Sequence, residues 1–171
     1  LLAVSKQQPA ALVRAAMDAA ARQYVHLDEL AEAVGARLAA LTGAEWGLVT
    51  NGCSAGLTLA GAACVAGGSP DLHVRLPDLS GFSRDEAIIP THSRNVYDAA
   101  IRAVGLRVVA VLTVAELDAA LGPRTALIYI MAGPRVDDSA LSLQAMAPLA
   151  RAKGVPIVVD WPSQMLTSSP A

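Results

Sequence analysis

Aromatic residues are scarce in this chain. One Phe, two Trp and three Tyr make up 4% of 171 residues, and charged residues reach only 16%. So few rings exclude a core built on aromatic packing, and the interior has to be assembled from small aliphatic side chains. Ala, Val and Leu dominate a hydrophobic fraction of 54%, which excludes a disordered chain. Such a composition suits helices lying on a buried sheet, and the length is enough for one domain with a real core. The formal net charge is −2 and no basic run occurs, so recognition of nucleic acid, tRNA included, through a charged surface is not expected. Lysine is nearly missing, with only Lys6 and Lys153.

Cysteine is also sparse. Cys53 and Cys64 stand eleven residues apart in one small-residue segment. Eleven residues of helix span about 16 Å, too far for a disulfide, so both are expected as reduced thiols in a cytoplasmic protein. No acidic or histidine-rich cluster suggests a metal. The opening "LLAVSKQQP" has neither the basic start nor the apolar centre of a secretory signal. Residues 46–70 carry no charge, but six glycines with Asn51, Ser54 and Thr58 break them into two halves at Asn51-Gly52. A buried strand followed by a buried helix explains them better than a membrane span.

Hydrophobic spacing predicts helices over 10–23 and 27–42, the second closed by Gly43. An alternation then begins. Strands are expected at 46–50 ("WGLVT"), 86–90, 107–111, 125–130 and 155–160. Helices are expected at 53–66, 95–104, 114–121 and 141–153, with a loop at 67–84. Thr113 and Glu116 have the spacing of a capping box. Near-continuous apolar strands alternating with helices imply an α/β fold with a mostly parallel sheet covered on both faces. On this reading residues 1–43 form an N-terminal helical arm and 44–171 an α/β domain.

In such sheets ligands bind at the carboxyl ends of the strands. Three segments there carry polar residues. In "GLVTNGCSAGLTLAGAACVAGG" (47–68) an apolar run leads through Asn51 and Gly52 into a helix starting near Cys53 and Ser54. Helix-start amides and the helix dipole suit a phosphate there, although an ordinary strand-to-helix turn gives the same pattern. Neither GxGxxG nor GxxxxGKS is present, which disfavours an unrelated nucleotide-binding domain. In "VPIVVDWPSQ" Asp160 ends an apolar strand, where it could serve as a base, a partner for a protonated ring nitrogen or a helix cap. In "IIPTHSRNVYD" a His92 could stack on a flat ring and an Arg94 could hold a carboxylate or phosphate. The plainer alternatives are a loop histidine and a surface cation. His26 and His73 read as structural.

Taken together, "TGAE" with "LVTNG", "RNVYDAAIRAVG" and "VPIVVD" resemble the selenocysteine synthase-like group. These are pyridoxal-phosphate enzymes of the aspartate aminotransferase fold (fold type I), with L-seryl-tRNA selenium transferase and D-glucosaminate-6-phosphate ammonia-lyase branches. The likeness runs in order along nearly the whole chain. It implies that Asn51, Gly52, Cys53 and Ser54 cradle the cofactor phosphate and that Asp160 meets the pyridine nitrogen. His92 or Ser93 would lie against the ring, and Arg94 would bind substrate. The group usually has His where Ser93 stands, and small alanines where Trp161 and Pro162 stand. It also forms its Schiff base through a lysine beyond the Asp. Neither Lys6 nor Lys153 fits that place, so this chain is expected to end before it.

The resemblance implies a pyridoxal-phosphate-dependent lyase or transferase acting on an amino acid or amino sugar phosphate, cytoplasmic and homo-oligomeric. Ammonia-lyase-like chemistry is preferred to work on tRNA because the chain is acidic. The alternative is a non-catalytic remnant or assembly module that keeps the fold.

Overall fold

The computed structural model describes residues 9–161, and the chain divides into two compact units between Thr50 and Asn51. The first unit holds helices α1 (Ala10–Ala20) and α2 (Leu27–Thr42). Gly43 stops α2 in a left-handed conformation, φ 72°, donating its N–H to the Ala39 carbonyl. The chain then folds back along α2. A Cβ on Gly35 would lie 2.3 Å from the Trp46 ring, and one on Gly47 would lie 2.3 Å from Leu38 Cβ. Both contacts therefore require glycine. Residues 46–50 are not a strand, contrary to the sequence expectation. Alternation of apolar residues makes a strand only when a ladder partner exists, and none runs beside this segment among the described residues.

The second unit begins with α3 (Cys53–Ala66), as expected, followed by a short helix α4 (Pro70–His73) inside the expected loop. Four strands follow: β1 (Glu86–Pro90), β2 (Arg107–Val111), β3 (Thr125–Met131) and β4 (Ile157–Asp160). All pairs are parallel and the order is β2-β1-β3-β4. The parallel sheet covered by helices is thus present as expected. Between β1 and β2 the expected helix 95–104 is a 3-10 turn (Val96–Asp98) running into the short α5 (Ala99–Arg102). Asn95 causes the change: its extended backbone and its Oδ1, which accepts from Tyr97 N at 2.7 Å, make a side-chain turn in place of a helical one.

Beyond β2 come α6 (Val114–Ala120), α7 (Pro134–Asp137) and α8 (Leu143–Ala152). Thr113 Oγ1 caps α6 by accepting from Glu116 N at 3.1 Å. Glu116 reaches back to Leu112 N at 2.7 Å, one residue earlier than the usual box.

Alternate residues of the strands feed two cores. Ile88, Ile128 and Ile130 pack with Leu117 of α6 and Met146 of α8 on one face. Ala87, Ile89, Leu127 and Tyr129 pack with Leu57 of α3 and Ile101 of α5 on the other. Strand order reverses direction between β1 and β3, since β2 lies on one side of β1 while β3 and β4 lie on the other. A crevice at the carboxyl ends of these strands is where an open parallel sheet offers a binding site. Among the described residues no helix is long and apolar enough to cross a membrane.

Candidate functional site

Asp160 is the last residue of β4 and is only 9% exposed. It lies on the sheet face that packs against α3, because residues 158 and 160 share that face. Its Oδ1 accepts from the Cys53 thiol at 3.2 Å and its Oδ2 from the Tyr129 hydroxyl at 3.0 Å. Both donors are neutral, and among the described residues no cation pairs with this carboxylate. Burying a carboxylate with neutral donors alone leaves its charge incompletely compensated.

Cys53 is the first residue of α3, so the carboxylate stands directly at that helix's N-terminal turn. Gly52 before it has φ 93°, a conformation that favours glycine, and a Cβ there would meet nothing within 4 Å. The requirement at Gly52 is therefore conformational, to turn the chain into α3. Asn51 and Ser54 are exposed beside it. Desolvation, the hydrogen bond to Asp160 and the negative charge of Asp160 push the Cys53 thiol up to about 11. It is a protonated donor at neutral pH, not a nucleophile. Both cysteines are free, as expected.

The segment after β1 joins the same network. His92 and Ser93 lie in a 3-10 turn (Thr91–Ser93) that Thr91 ties to β2 by donating to the Val111 carbonyl at 3.1 Å. Ser93 is 1% exposed; its Oγ accepts from Met131 N at 3.1 Å and lies 3.0 Å from His92 Nδ1. His92 is exposed. Ser93 is therefore a buried brace between the turn and β3, and His92 is the exposed residue presented beyond the carboxyl end of β1. Asn95 Nδ2 donates to the Ser93 carbonyl at 2.9 Å and to the Tyr129 hydroxyl at 3.3 Å. One continuous chain of polar contacts thus runs from Cys53 through Asp160, Tyr129, Asn95 and Ser93 to His92.

Arg94 is not part of it. Its Nε donates to the buried Asp98, which also accepts from Arg102 Nε at 3.1 Å. The pair fixes the stem of Arg94 and leaves its terminal nitrogens without a partner among the described residues. Lys153 caps the end of α8 ahead of β4, so it stands at the sheet edge opposite Asp160. Lys6 lies outside the described residues.

Sequence reasoning named Cys53, His92, Ser93 and Asp160, which the fold brings together. It missed Tyr129 and Asn95. The signal for Tyr129 was the one aromatic hydroxyl inside the apolar run "TALIYIM"; for Asn95 it was a turn-forming residue directly after the loop.

No family model matches the chain. Among curated proteins it is 30% identical over 169 residues to a D-glucosaminate-6-phosphate ammonia lyase from Salmonella typhimurium (strain 14028s / SGSC 2262), covering 94% of this chain and 45% of that protein. It is 31% identical over 156 residues to a 5'-C-glycyluridine monooxygenase-decarboxylase from a Streptomyces species, covering 85% and 39%. Among solved structures, a D-glucosaminate-6-phosphate ammonia-lyase matches with a TM-score of 0.76 at 28% identity, over 83% of this chain and 41% of that one. The chain spans a little under half the length of these curated relatives.

Proposed function

We propose, from the chain's relationship to the selenocysteine synthase-like, fold type I enzymes, that it supplies the cofactor-holding half of a pyridoxal-phosphate-dependent lyase acting on an amino sugar phosphate or a related amino acid. One observation carries this reading: a nearly buried carboxylate without a cationic partner among the described residues, bonded to the first residue of a long helix. A protonated ring nitrogen is the complement of that carboxylate, and a phosphate is the complement of that helix start. The donor set therefore fits pyridoxal phosphate. Asp160 would take the ring nitrogen, the turn Asn51–Ser54 the phosphate, His92 the ring face, and Arg94 an anionic group of the substrate. When bound, the cofactor supplies an electron sink for a bond broken at the amino-bearing carbon, and Asp160 favours that role by keeping the ring nitrogen protonated.

The rest of the reading is part of the same proposal. Residues 1–43 act as a helical arm and 44–171 as the cofactor-binding part, in a cytoplasmic homo-oligomer. Exposed Leu12, Val13 and Met17 on α1 are available for subunit contact.

The test is calorimetric titration of the full chain with pyridoxal 5'-phosphate. Saturable binding is expected, weakened on the order of 30-fold or more by Asp160→Asn. Absence of binding in a folded sample would favour the non-catalytic module instead.

A further inference from the structure

The hydrogen bonds around Asp160 have a fixed direction. Asn95 Oδ1 is occupied by Tyr97 N at 2.7 Å, so the amide nitrogen has to face Tyr129 and Ser93. Tyr129 oxygen therefore accepts from Asn95, and its own proton goes to Asp160 Oδ2 at 3.0 Å. At the other oxygen the Cys53 S–H is the donor. Both carboxylate oxygens are thus acceptors, an arrangement that leaves no place for a carboxylic acid proton along either contact. Each oxygen keeps a second lone pair for a further donor.

The two donors also come from different layers. Tyr129 stands on β3, beside β4, while Cys53 opens α3. We propose that Cys53 and Tyr129 are positioning residues for Asp160: they hold the carboxylate in one direction, and Cys53 ties it to the turn that receives the phosphate. The spacing between the ring-nitrogen contact and the phosphate contact is then set before any ligand arrives, which lowers the ordering cost of binding. The role rests on the reading of Asp160 as the partner of a pyridine nitrogen.

Two measurements test it on the full chain carrying Cys64→Ala, so that one thiol remains, with circular dichroism confirming the fold of each variant. The first is the rate of Cys53 alkylation by iodoacetamide, which needs no cofactor. Asp160→Asn is expected to raise it about tenfold; an unchanged rate overturns the thiol–carboxylate pairing. The second is calorimetric binding of 4'-deoxypyridoxine 5'-phosphate, which lacks the aldehyde and needs no lysine. Tyr129→Phe and Cys53→Ala are each expected to weaken it about five- to tenfold, and Cys53→Ser to restore most of the loss. Affinity for inorganic phosphate alone, which meets only the helix turn, is expected to stay constant. Variants that bind the analogue as tightly as the parent overturn the positioning role. A parent chain that ignores the analogue while Cys53 still responds to Asp160→Asn overturns the cofactor reading and, with it, the role toward the ring.

Discussion

The hydroxyl of Tyr129 lies 3.0 Å from Oδ2 of Asp160, on the neighbouring strand and thirty-one residues earlier in the chain. Parallel pairing of β3 with β4 sets Tyr129 opposite Val158 and Met131 opposite Asp160, so the two side chains share one sheet face, one step apart. A phenol that is fully buried by its ring and satisfied at its oxygen serves the core and the site together.

Removing that hydroxyl should therefore cost stability. Tyr129→Phe leaves Asp160 Oδ2 and one Asn95 proton without their partner. Hydrogen bonds to charged groups contribute about 1.5–3 kcal/mol, so a loss of that size is expected in urea denaturation. A midpoint equal to that of the parent would show that water replaces the phenol at no cost.

Alkaline pH should weaken the fold through the same group of residues. The Cys53 thiol is raised from 9.0 to about 11, and burial raises the Tyr129 phenol above 10.0, opposed by Asn95 and reinforced by Asp160. A group whose folded pKa exceeds its unfolded value stabilises the fold while protonated. For Cys53 that contribution is fully present below pH 9 and is lost as pH rises from about 9 to 11. Tyr129 acts with the same sign from pH 10 upward. Urea midpoints measured from pH 7 to 11 should fall above pH 9, less steeply in Cys53→Ser. Parallel curves for the two proteins would exclude the thiol as the cause.

The acid limb has a different source. Asp85 is held below its ordinary 3.8, chiefly by hydrogen bonds from Arg124. Its contribution is present above pH 3.8 and lost as pH falls through the lowered value. In Arg124→Gln the acid loss of stability should become shallower, as read by thermal melts between pH 5 and 2. The neighbouring Glu86 keeps its contact with Arg107 in that variant, so the fold should persist at neutral pH.

Gly105 should tolerate no side chain. Its φ is 97°, and a Cβ would lie 2.1 Å from the Pro77 carbonyl oxygen, a backbone atom that cannot swing away. Gly105→Ala is expected to cost about 3 kcal/mol or more, combining backbone strain with that clash. Gly154, φ 62° at the end of α8 with open space around it, is the control. Gly154→Asn should cost under about 1 kcal/mol. Equal losses in urea titrations would refute the clash.

Much of the second unit was legible because its signals are local. The helix over Cys53–Ala66 and the strands Glu86–Pro90 and Arg107–Val111 stand where apolar runs meet Gly, Pro or polar stops. The segment 46–50 failed because a strand is a relation between two segments. The helix expected at 95–104 failed because the side chain of Asn95 competes with the helical hydrogen bond. For the site, Cys53, Ser93 and Asp160 were legible as polar residues at the ends of apolar runs. Arg94 was legible as a cation but not as the partner of Asp98, since a spacing of four residues there bridges a turn and not a regular helix.

The order of residues alone specifies the class of fold, the covered parallel sheet and the ends at which polar residues collect. Hydrophobic period and turn chemistry act between near neighbours, and those can be read along a line. Long-range folding is what closes the Cys53 thiol and the Tyr129 hydroxyl on the two oxygens of Asp160, and what lets Asn95 fix the direction of the Tyr129 bond. Strand order and helix packing bring together residues 107 and 31 positions apart. The direction in which a buried carboxylate is held depends on that gathering, and no local pattern encodes it.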